Sequence, residues 1–334
     1  MGRATIAQVA RAARVSSTAI SLYLHNRPGL SDTTRERIAR AIRKVGYVPR
    51  ERRNDSTSKL IALLVEELPD PIFSETYSEL VQELERHAHQ GGYHVVLKPV
   101  GQQANGRIEH LVAGGQMAGL IALGGGDLTD EILATLATLS TPLVLVDNYL
   151  IESPTHAVVP DNELGAYLVT RHLIDRGHRD VGIIMGPSKY KPLVDRLQGY
   201  LRAMVEFGLL KTDLMQPPLS HALPNKGYLE MQALLARPHQ PTAVFCVSDR
   251  AAFGALTALR EAGLRVPRDM ALAGFDNVSA SGHSDPPLTT AHMPKREMGA
   301  LAASRVLELI EHPQDKLPPL KLVLPTSLIV RGTT

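Results

Sequence analysis

Near its N-terminus the chain reads Thr5-Ile-Ala-Gln-Val-Ala-Arg-Ala-Ala-Arg-Val-Ser-Ser-Thr-Ala-Ile-Ser-Leu-Tyr-Leu24, and two short helical patterns follow one another within this stretch. The first begins with Thr5-Ile-Ala-Gln8, which has the form of a capping box, and apolar or small residues then recur at helical spacing. Arg14-Val15 interrupts the pattern, and Ser16 can cap a second helix that runs to about Leu24. The stretch therefore predicts two capped helices joined by a tight turn.

A third helix is predicted shortly after the second. Asn26-Arg27-Pro28-Gly29 has the composition of a turn, and Ser31 can cap a helix that ends at Gly46. One face of this helix is apolar and carries Ile38, Ile42 and Val45. Three short capped helices within 46 residues predict a small bundle of the helix-turn-helix type.

The outer face of the second helix has the composition of a surface that reads DNA. At about 100° per residue, this face carries Ser17, Thr18, Ser21, Leu22 and His25. Short side chains let a helix approach the major groove closely, and hydroxyl groups bond to base edges or phosphates. Leu22 fits this interpretation because it can contact thymine methyl groups. The alternative interpretation is a solvated polar face with one stray leucine.

The N-terminal segment of the chain is strongly basic, whereas the rest of the chain is mildly acidic. Residues 1–53 hold twelve Arg and Lys residues against three acidic residues, which gives +9, whereas the remaining residues carry −7. A small basic module attached to a mildly acidic body indicates a partner that is a polyanion.

Composition excludes several classes of protein. The chain has 334 residues, enough for two or three domains, and its single cysteine, Cys246, excludes a disulfide scaffold and a cysteine-rich zinc module. No apolar run reaches the ~20 residues that cross a bilayer, and no signal peptide is evident, so we expect a cytoplasmic protein without a membrane partner. No motif for a metal, a cofactor or a catalytic residue is present, so none of these is expected.

From Leu60 onward, short apolar runs alternate with helical patterns. The runs are typical of buried strands and fall at 60–65, 93–97, 119–123, 143–146, 181–185, 243–247, 271–275, 320–324 and 327–330. The helical patterns fall near 74–90, 106–115, 128–138, 162–176, 193–207, 225–236, 249–262 and 295–311. This alternation predicts two doubly wound α/β halves, whose ligands bind at the carboxyl ends of the strands.

Polar side chains are concentrated in the loops expected at those strand ends. Carboxylates, amides, an arginine and an aromatic face are what a polyhydroxylated ligand requires. For Asp147 and Asp249 the alternative interpretation is that each caps the next helix.

Residues 5–49 resemble the DNA-binding head of the LacI/GalR repressor family. The blocks that carry the resemblance are residues 5–24, Arg27-Pro-Gly-Leu-Ser31, Thr34-Arg-Glu-Arg-Ile38 and Gly46-Tyr-Val-Pro49. The resemblance implies that the second helix reads the major groove of an operator. It assigns base reading to Ser17, Thr18 and Leu22, and phosphate contacts to the hydroxyl groups of Thr5, Ser16, Ser21, Ser31 and Thr34. Leu22 stands where the family frequently has arginine, and His25 stands where it usually has asparagine.

The segment after the head takes the place of the family's hinge helix. Members of the family wedge a leucine from this helix into the minor groove, but residues 50–59 contain no leucine. We expect Arg52 and Arg53 to enter the minor groove electrostatically instead.

The resemblance extends, more loosely, over residues 60–331. Its strongest blocks include Asp161-Asn-Glu-Leu-Gly-Ala-Tyr-Leu-Val169, Arg196-Leu-Gln-Gly-Tyr200 and Gly274-Phe-Asp-Asn277. It implies a periplasmic-binding-protein type I fold of two subdomains, with crossovers near 160, 290 and 324 and a small-molecule effector in the cleft. It places the effector contacts on Ile72, Phe73, Asp147, Tyr190, Arg196, Ser248 and Asp276. Many members have an aromatic platform where this chain has Ala222, so we expect an effector that is smaller or differently posed than a stacked pyranose, or not a sugar.

These features predict an N-terminal all-α helix-turn-helix head, residues 1–49, a linker, residues 50–59, and an α/β effector-binding and dimerisation core, residues 60–334. Within the core we expect one subdomain at about 60–160 plus 291–323 and the other at about 161–290 plus 324–334.

The predicted function is that of a homodimeric repressor that binds a pseudo-palindromic operator and is controlled by a small molecule, most simply a carbohydrate. A co-repressor of the same family that responds to a purine or another metabolite is the alternative. A solute-binding protein of a transport system shares the body but lacks the basic head. An enzyme acting on sugars or nucleosides requires a catalytic motif that this sequence lacks.

Overall fold

The computed structural model describes residues 6–16, 19, 20, 23, 31–45, 59–66, 71–100, 116–124, 128–219, 226–313, 315 and 317–334. The chain divides into two compact units, Met1–Thr57 and Ser58–Thr334. The helix predicted near 106–115 lies outside the described residues.

The first unit is a helical bundle, as its apolar spacing predicts. Helix α1 spans Ile6–Ala13 and helix α2 spans Asp32–Val45. Between them the amide of Ala19 donates to the hydroxyl of Ser16 at 3.1 Å, which is the cap expected for the second helix. The buried core of the unit consists of Val9, Ala10, Ala13, Ile20, Ile38 and Ala41.

The second unit alternates strands and helices. In chain order it contains β1 (Leu60–Glu66), α3 (Pro71–Gln90), β2 (His94–Val100), β3 (Gly119–Leu123), α4 (Asp130–Ala137), β4 (Leu143–Val146), β5 (His156–Pro160), α5 (Asn162–Asp175), β6 (Val181–Ile184), α6 (Lys191–Glu206), β7 (Met215–Gln216), α7 (Lys226–Leu235), β8 (Ala243–Cys246), α8 (Asp249–Glu261), β9 (Ala271–Asp276), β10 (Thr289–His292), α9 (Lys295–Glu311), β11 (Lys321–Leu324) and β12 (Ser327–Ile329). Short 3-10 turns lie at Thr212–Leu214 and Ser279–Gly282.

These strands form two six-stranded sheets of the doubly wound type. The first sheet has the order β11-β5-β4-β3-β1-β2, and all of its pairs are parallel. The second has the order β12-β10-β9-β8-β6-β7, and only the pair β10–β12 is antiparallel. In each sheet the order reverses at the first strand, β1 or β6, and ligands of such sheets bind beside this switch point.

The chain passes between the two sheets three times. It leaves the first sheet after β5, returns to it after β10, and leaves it again between β11 and β12. Buried side chains from both sheets, such as Val144 and Phe245, belong to one continuous apolar cluster. The subdomain limits given above stay a prediction.

A glycine in α6 lets this helix approach α5 closely. A Cβ atom on Gly199 would lie 2.1 Å from the carbonyl oxygen of Glu163, which is far inside van der Waals contact. Any larger residue would push the two helices apart. Because α6 also carries Arg196, this close approach fixes where that side chain enters the interior.

No helix among the described residues is both long enough and apolar enough to span a membrane.

Candidate functional site

The predicted effector residues of the second unit lie at the carboxyl ends of strands from both sheets. Asp147 directly follows β4 of the first sheet, and Asp276 is the last residue of β9 in the second sheet. Tyr190 is the N-cap residue of α6, and Arg196 lies in the second turn of that helix. Ser248 follows β8. The two halves of the unit bring Asp147, Arg196 and Asp276 together, since the charges of the last two act on Asp147, and we call the region around these three residues the cleft.

Arg196 is the centre of a buried polar cluster in this cleft. Its Nη1 atom lies 2.8 Å from Oδ1 of Asp276 and donates to the carbonyl oxygen of Val247 at 2.7 Å. Its Nε atom donates to Oδ1 of Asn162 at 2.9 Å. The guanidinium carbon lies 3.8 Å from the centre of the Phe275 ring. These contacts hold a planar group with fixed donors in one orientation.

Asp276 and the residue after it form a sharp turn at the end of β9. The φ angles are 109° at Asp276 and 48° at Asn277, in a region that residues other than glycine adopt at a cost. Two cations hold this turn, since Nη2 of Arg331 donates to Oδ1 of Asn277 at 2.6 Å and Nζ of Lys295 donates to its carbonyl oxygen at 3.1 Å. Burial raises the pKa of Asp276, and the positive charges of Arg196 and Lys295 oppose that rise.

A second buried carboxylate, that of Asp249, supports the same turn. Its Oδ2 atom accepts the amide of Val278 at 3.0 Å, and its Oδ1 atom accepts the hydroxyl of Thr290 at 2.6 Å. Burial, followed by the negative charge of Asp276, raises the pKa of Asp249 to about 8. Asp249 does not cap α8, because that position belongs to Ser248, whose hydroxyl accepts the amide of Ala251 at 3.2 Å. An effector contact from Ser248 stays a prediction.

Asp147 supplies a carboxylate from the first sheet. It is 3% exposed and its φ angle is 51°. Its Oδ2 atom accepts the hydroxyl of Tyr77 at 2.5 Å, whereas its Oδ1 atom is buried without a hydrogen-bond partner among the described residues. Burial raises the pKa of Asp147 to about 6, and the positive charge of Arg196 opposes that rise. No helix begins directly after Asp147, so it is not a helix cap.

Polar contacts in the described residues join the two halves beside the cleft. Tyr149 follows β4 in the first half, and its hydroxyl donates to both carboxylate oxygens of Asp195 in α6, at 2.9 and 3.2 Å. The ammonium of Lys321 lies 3.4 Å from the centre of the Tyr149 ring. Lys191 of α6 also forms an ion pair with Asp130 of α4. At least two polar pairs therefore cross from one half to the other, Tyr149–Asp195 and Lys191–Asp130.

The other predicted contacts are described only in part. Ile72 and Phe73 lie in the first turn of α3, but their side chains are outside the described residues. Tyr190 lies beside Lys189, whose ammonium is 4.9 Å from its ring centre. Among the described residues, no group of three or more His, Cys, Asp or Glu side chains is arranged to hold a metal ion.

Three of the predicted DNA contacts lie in the described part of the first unit. Ser16 caps the second helix, and Ser31 caps α2 by accepting the amide of Thr34 at 3.3 Å. The hydroxyls of Ser31 and Thr34 are also within 2.9 Å of each other. The remaining predicted contacts lie outside the described residues: Thr5, Ser17, Thr18, Ser21, Leu22, His25, Arg52 and Arg53.

Comparison with known proteins identifies both units. Residues 5–50 match the family model for bacterial regulatory proteins of the lacI family, and residues 170–334 match the model for a periplasmic binding protein-like domain. The ribose operon repressor of Haemophilus influenzae is 32% identical over 336 residues, which cover 98% of each chain. The chain belongs to the LacI family. This LacI-family member is thus a DNA-binding transcriptional repressor with a ligand-binding domain of the periplasmic-binding-protein type.

Solved structures of family members have the same architecture. The cellobiose complex of the transcriptional regulator CelR has a TM-score of 0.76 and 30% identity, and the match covers 99% of this chain and 100% of that one. The lac repressor dimer bound to operator and the anti-inducer ONPF has a TM-score of 0.71 and 25% identity, over 100% of this chain and 99% of that one. The fold predicted for this LacI-family chain is therefore confirmed.

Several residues of the cleft were missed by sequence reasoning. Asn162 and Phe275 stand inside quoted sequence blocks, and Phe275 is the immediate neighbour of the predicted residue Asp276. Tyr77 and Met293 gave no such signal. The Sδ atom of Met293 lies 3.6 Å from Nη2 of Arg196, although the two residues are 97 positions apart in the sequence.

Proposed function

We propose that this protein is a homodimeric repressor whose operator affinity is controlled by a carbohydrate bound between the two halves of the second unit. The observation that carries the proposal is the buried Oδ1 atom of Asp147, which has no hydrogen-bond partner in the described part of the chain and lies in the same cleft as the Arg196–Asp276 pair. A buried acceptor without a partner costs about 1–3 kcal/mol, and a ligand that donates a hydrogen bond recovers this free energy.

A sugar supplies the groups that this cleft requires. Its hydroxyl groups donate to carboxylates such as those of Asp147 and Asp276, and they accept from a guanidinium such as that of Arg196. The ribose operon repressor and the CelR–cellobiose complex support a carbohydrate, because they are similar proteins whose names refer to sugars. A purine or another metabolite with N–H donors is the second candidate, since it satisfies the same acceptors.

The first unit supplies the operator contacts in this proposal. A twofold dimer presents two heads and therefore binds a pseudo-palindromic site with half-sites about one helical turn, or a multiple of it, apart. The lac repressor, which is similar to this chain, is a dimer bound to operator in its solved structure. The effector changes operator affinity, and by linkage the operator changes effector affinity by the same factor. This function places the protein in the cytoplasm and assigns it no enzymatic activity.

DNA footprinting upstream of the gene tests the operator part of the proposal. We expect a protected pseudo-palindrome, with affinity that falls as salt rises at about −0.9 logarithmic units per neutralised phosphate. A variant without residues 1–57 is expected to lose this protection and to keep effector binding. The absence of any protected site at low salt contradicts the proposal.

A thermal-shift screen with D-ribose, cellobiose and purines tests the effector part. The ligand that binds is expected to raise the melting temperature of the wild type but not of Arg196→Ala or Asp276→Ala. Arg202→Ala is the matched control, because Arg202 lies on the same helix with a side chain that is 61% exposed. Stabilisation by a ligand that survives both cleft substitutions contradicts the assignment of the site, and stabilisation by purines alone contradicts the carbohydrate.

A further inference from the structure

Tyr77 lies in α3, one helical turn after the predicted effector residue Phe73. Its hydroxyl donates to Oδ2 of Asp147 at 2.5 Å, at the short end of hydrogen bonds between hydroxyl groups and carboxylates. The two residues are 70 positions apart in the sequence, so the contact depends on the fold. The side chain of Tyr77 is partly buried, and the carboxylate that it contacts is buried.

This hydrogen bond makes the two oxygens of Asp147 different from each other. Tyr77 occupies Oδ2, whereas Oδ1 has no hydrogen-bond partner among the described residues. A carboxylate with both oxygens available can fork across two neighbouring hydroxyl groups of a ligand. With Oδ2 engaged by Tyr77, the oxygen left for a ligand is Oδ1.

We propose that Tyr77 is a positioning residue that determines effector specificity: it occupies one oxygen of Asp147, directs the other to a single hydroxyl group of the effector, and keeps that carboxylate ionised. The inference rests on the proposed function, because it requires a ligand in this cleft.

The charges around Asp147 explain why a donor is needed to keep it ionised. Burial raises the pKa of its carboxyl group to about 6, and the negative charges of Asp276 and Asp195 act in the same direction. Arg196 and the hydroxyl of Tyr77 lower this pKa. Without the Tyr77 hydroxyl, Arg196 alone of these two groups lowers the pKa of Asp147. We therefore expect that pKa to rise toward 7.

The experiment compares the wild type with Tyr77→Phe by measuring the dissociation constants of D-ribose and cellobiose between pH 5 and pH 8.5. If ionised Asp147 accepts the effector's hydroxyl group, wild-type affinity falls as pH falls through about 6. In Tyr77→Phe we expect this midpoint to move upward by about one pH unit, so that affinity falls about twofold near pH 7 and about fivefold near pH 6. A tyrosine that acts only through packing lowers affinity equally at every pH and leaves the midpoint in place.

Two controls separate this inference from the proposed function. Tyr228→Phe removes the hydrogen bond that Tyr228 donates to the carboxylate of Glu261. We expect this control to leave the pH midpoint of effector binding unchanged. Asp147→Asn is expected to abolish the pH-dependent step. If Asp147→Asn binds both sugars as the wild type does, the proposed site is wrong; if it loses binding while Tyr77→Phe keeps the wild-type midpoint, only the role of Tyr77 is wrong.

A measurement without ligand tests the same hydrogen bond. We expect Tyr77→Phe to lower the melting temperature more at pH 8 than at pH 5, because the lost bond is stronger when Asp147 is ionised. In the Asp147→Asn background the same substitution is expected to have a cost that does not vary with pH. Equal costs at both pH values in the wild-type background overturn the inference.

Discussion

The guanidinium of Arg196 and the carboxylate of Asp276 lie 2.8 Å apart inside the cleft, and both residues are more than nine-tenths buried. Removing two charges from water is costly, and their attraction offsets that cost only where the other donors and acceptors are also satisfied. Arg196 meets this condition because Asn162 and Val247 accept from it as well. The pair is therefore stabilised within the protein, and its contact with a ligand's hydroxyl groups belongs to the proposed function.

The first prediction concerns removal of this guanidinium. Arg196→Ala leaves the carboxylate of Asp276 buried without its partner, so we expect the free energy of unfolding to fall by about 3–5 kcal/mol. Chemical denaturation followed by circular dichroism measures the loss. Arg202→Ala is the control on the same helix, because its pair with Glu163 at 3.4 Å is exposed and is worth at most about 1 kcal/mol.

The double variant Arg196→Ala/Asp276→Asn distinguishes a stranded charge from a packing defect. Asparagine removes the unpaired charge, so the double variant is expected to be more stable than Arg196→Ala alone. If the second substitution lowers stability further, the loss comes from packing and the electrostatic explanation is wrong.

The second prediction is that Asp147 weakens the fold when it is ionised. Since the pKa of this acid is raised to about 6 in the folded protein, its contribution to the free energy of unfolding falls as pH rises toward 6 and is level above it. At pH 7.5 we therefore expect the free energy of unfolding of Asp147→Asn to exceed that of the wild type by about 1–3 kcal/mol, and its melting temperature to be higher. The gain is expected to shrink at pH 5, where the wild type is mostly protonated.

An exposed aspartate provides the comparison for this substitution. Asp175→Asn removes a surface carboxylate 3.6 Å from Arg171 and is expected to change stability by less than about 1 kcal/mol at either pH. A lower melting temperature for Asp147→Asn at pH 7.5 contradicts the prediction. If Asp147→Asn is more stable than the wild type and also loses effector binding, Asp147 serves the binding site at the expense of stability.

The third prediction concerns a carboxylate outside the cleft cluster. Glu230 in α7 is fully buried. Its Oε1 atom accepts the amide of Leu219 at 3.3 Å and lies 3.5 Å from Nζ of Lys226. Its Oε2 atom has no hydrogen-bond partner among the described residues. Burial raises the pKa of Glu230 to about 7, and Lys226 opposes that rise. The contribution of Glu230 to the free energy of unfolding therefore falls as pH rises from about 4.5, its pKa in the unfolded chain, to about 7.

Glu230→Gln is expected to remove this pH dependence. The variant should exceed the wild type in stability by about 1–3 kcal/mol at pH 8 and by little at pH 5. Melting temperatures across this range test it, with Glu206→Gln as the surface control, because Glu206 is exposed and accepts the hydroxyl of Tyr167 at 3.1 Å. A difference from the wild type that is the same at every pH contradicts the assignment of the slope to Glu230.

Local signals explain which parts of the fold were predictable. The caps at Ser16 and Ser31 and the apolar spacing of α2 depend on residues a few positions apart, and the structure confirms them. Strand β10 was missed because Thr289-Thr-Ala-His292 is mostly polar. Its threonines are buried only because distant groups satisfy them: Thr290 donates to Asp249, and the amide of Thr289 donates to the hydroxyl of Thr333.

The candidate site was likewise predictable only where residues close together in the sequence carry the signal. The family blocks predict Arg196 and Asp276 as site residues, and the structure places them in contact. The sequence does not indicate Tyr77, because nothing near it shows that its hydroxyl meets Asp147. At Ser248 the sequence signal is present but ambiguous, because a serine before a helix looks the same whether it caps that helix or contacts a ligand.

The last prediction concerns the contact between Tyr149 and Asp195, which joins the two halves. Asp147 comes from one half and Arg196 from the other, so a ligand that contacts both is bound best in the arrangement that this hydrogen bond stabilises. Tyr149→Phe removes a bond worth about 0.5–1.5 kcal/mol, and we expect effector affinity to fall about 2- to 10-fold. Isothermal titration calorimetry with the sugar found in the thermal-shift screen measures this change. Tyr167→Phe removes a similar bond to Glu206 within one half, so an equal loss of affinity in both variants contradicts a specific role for the contact between the halves.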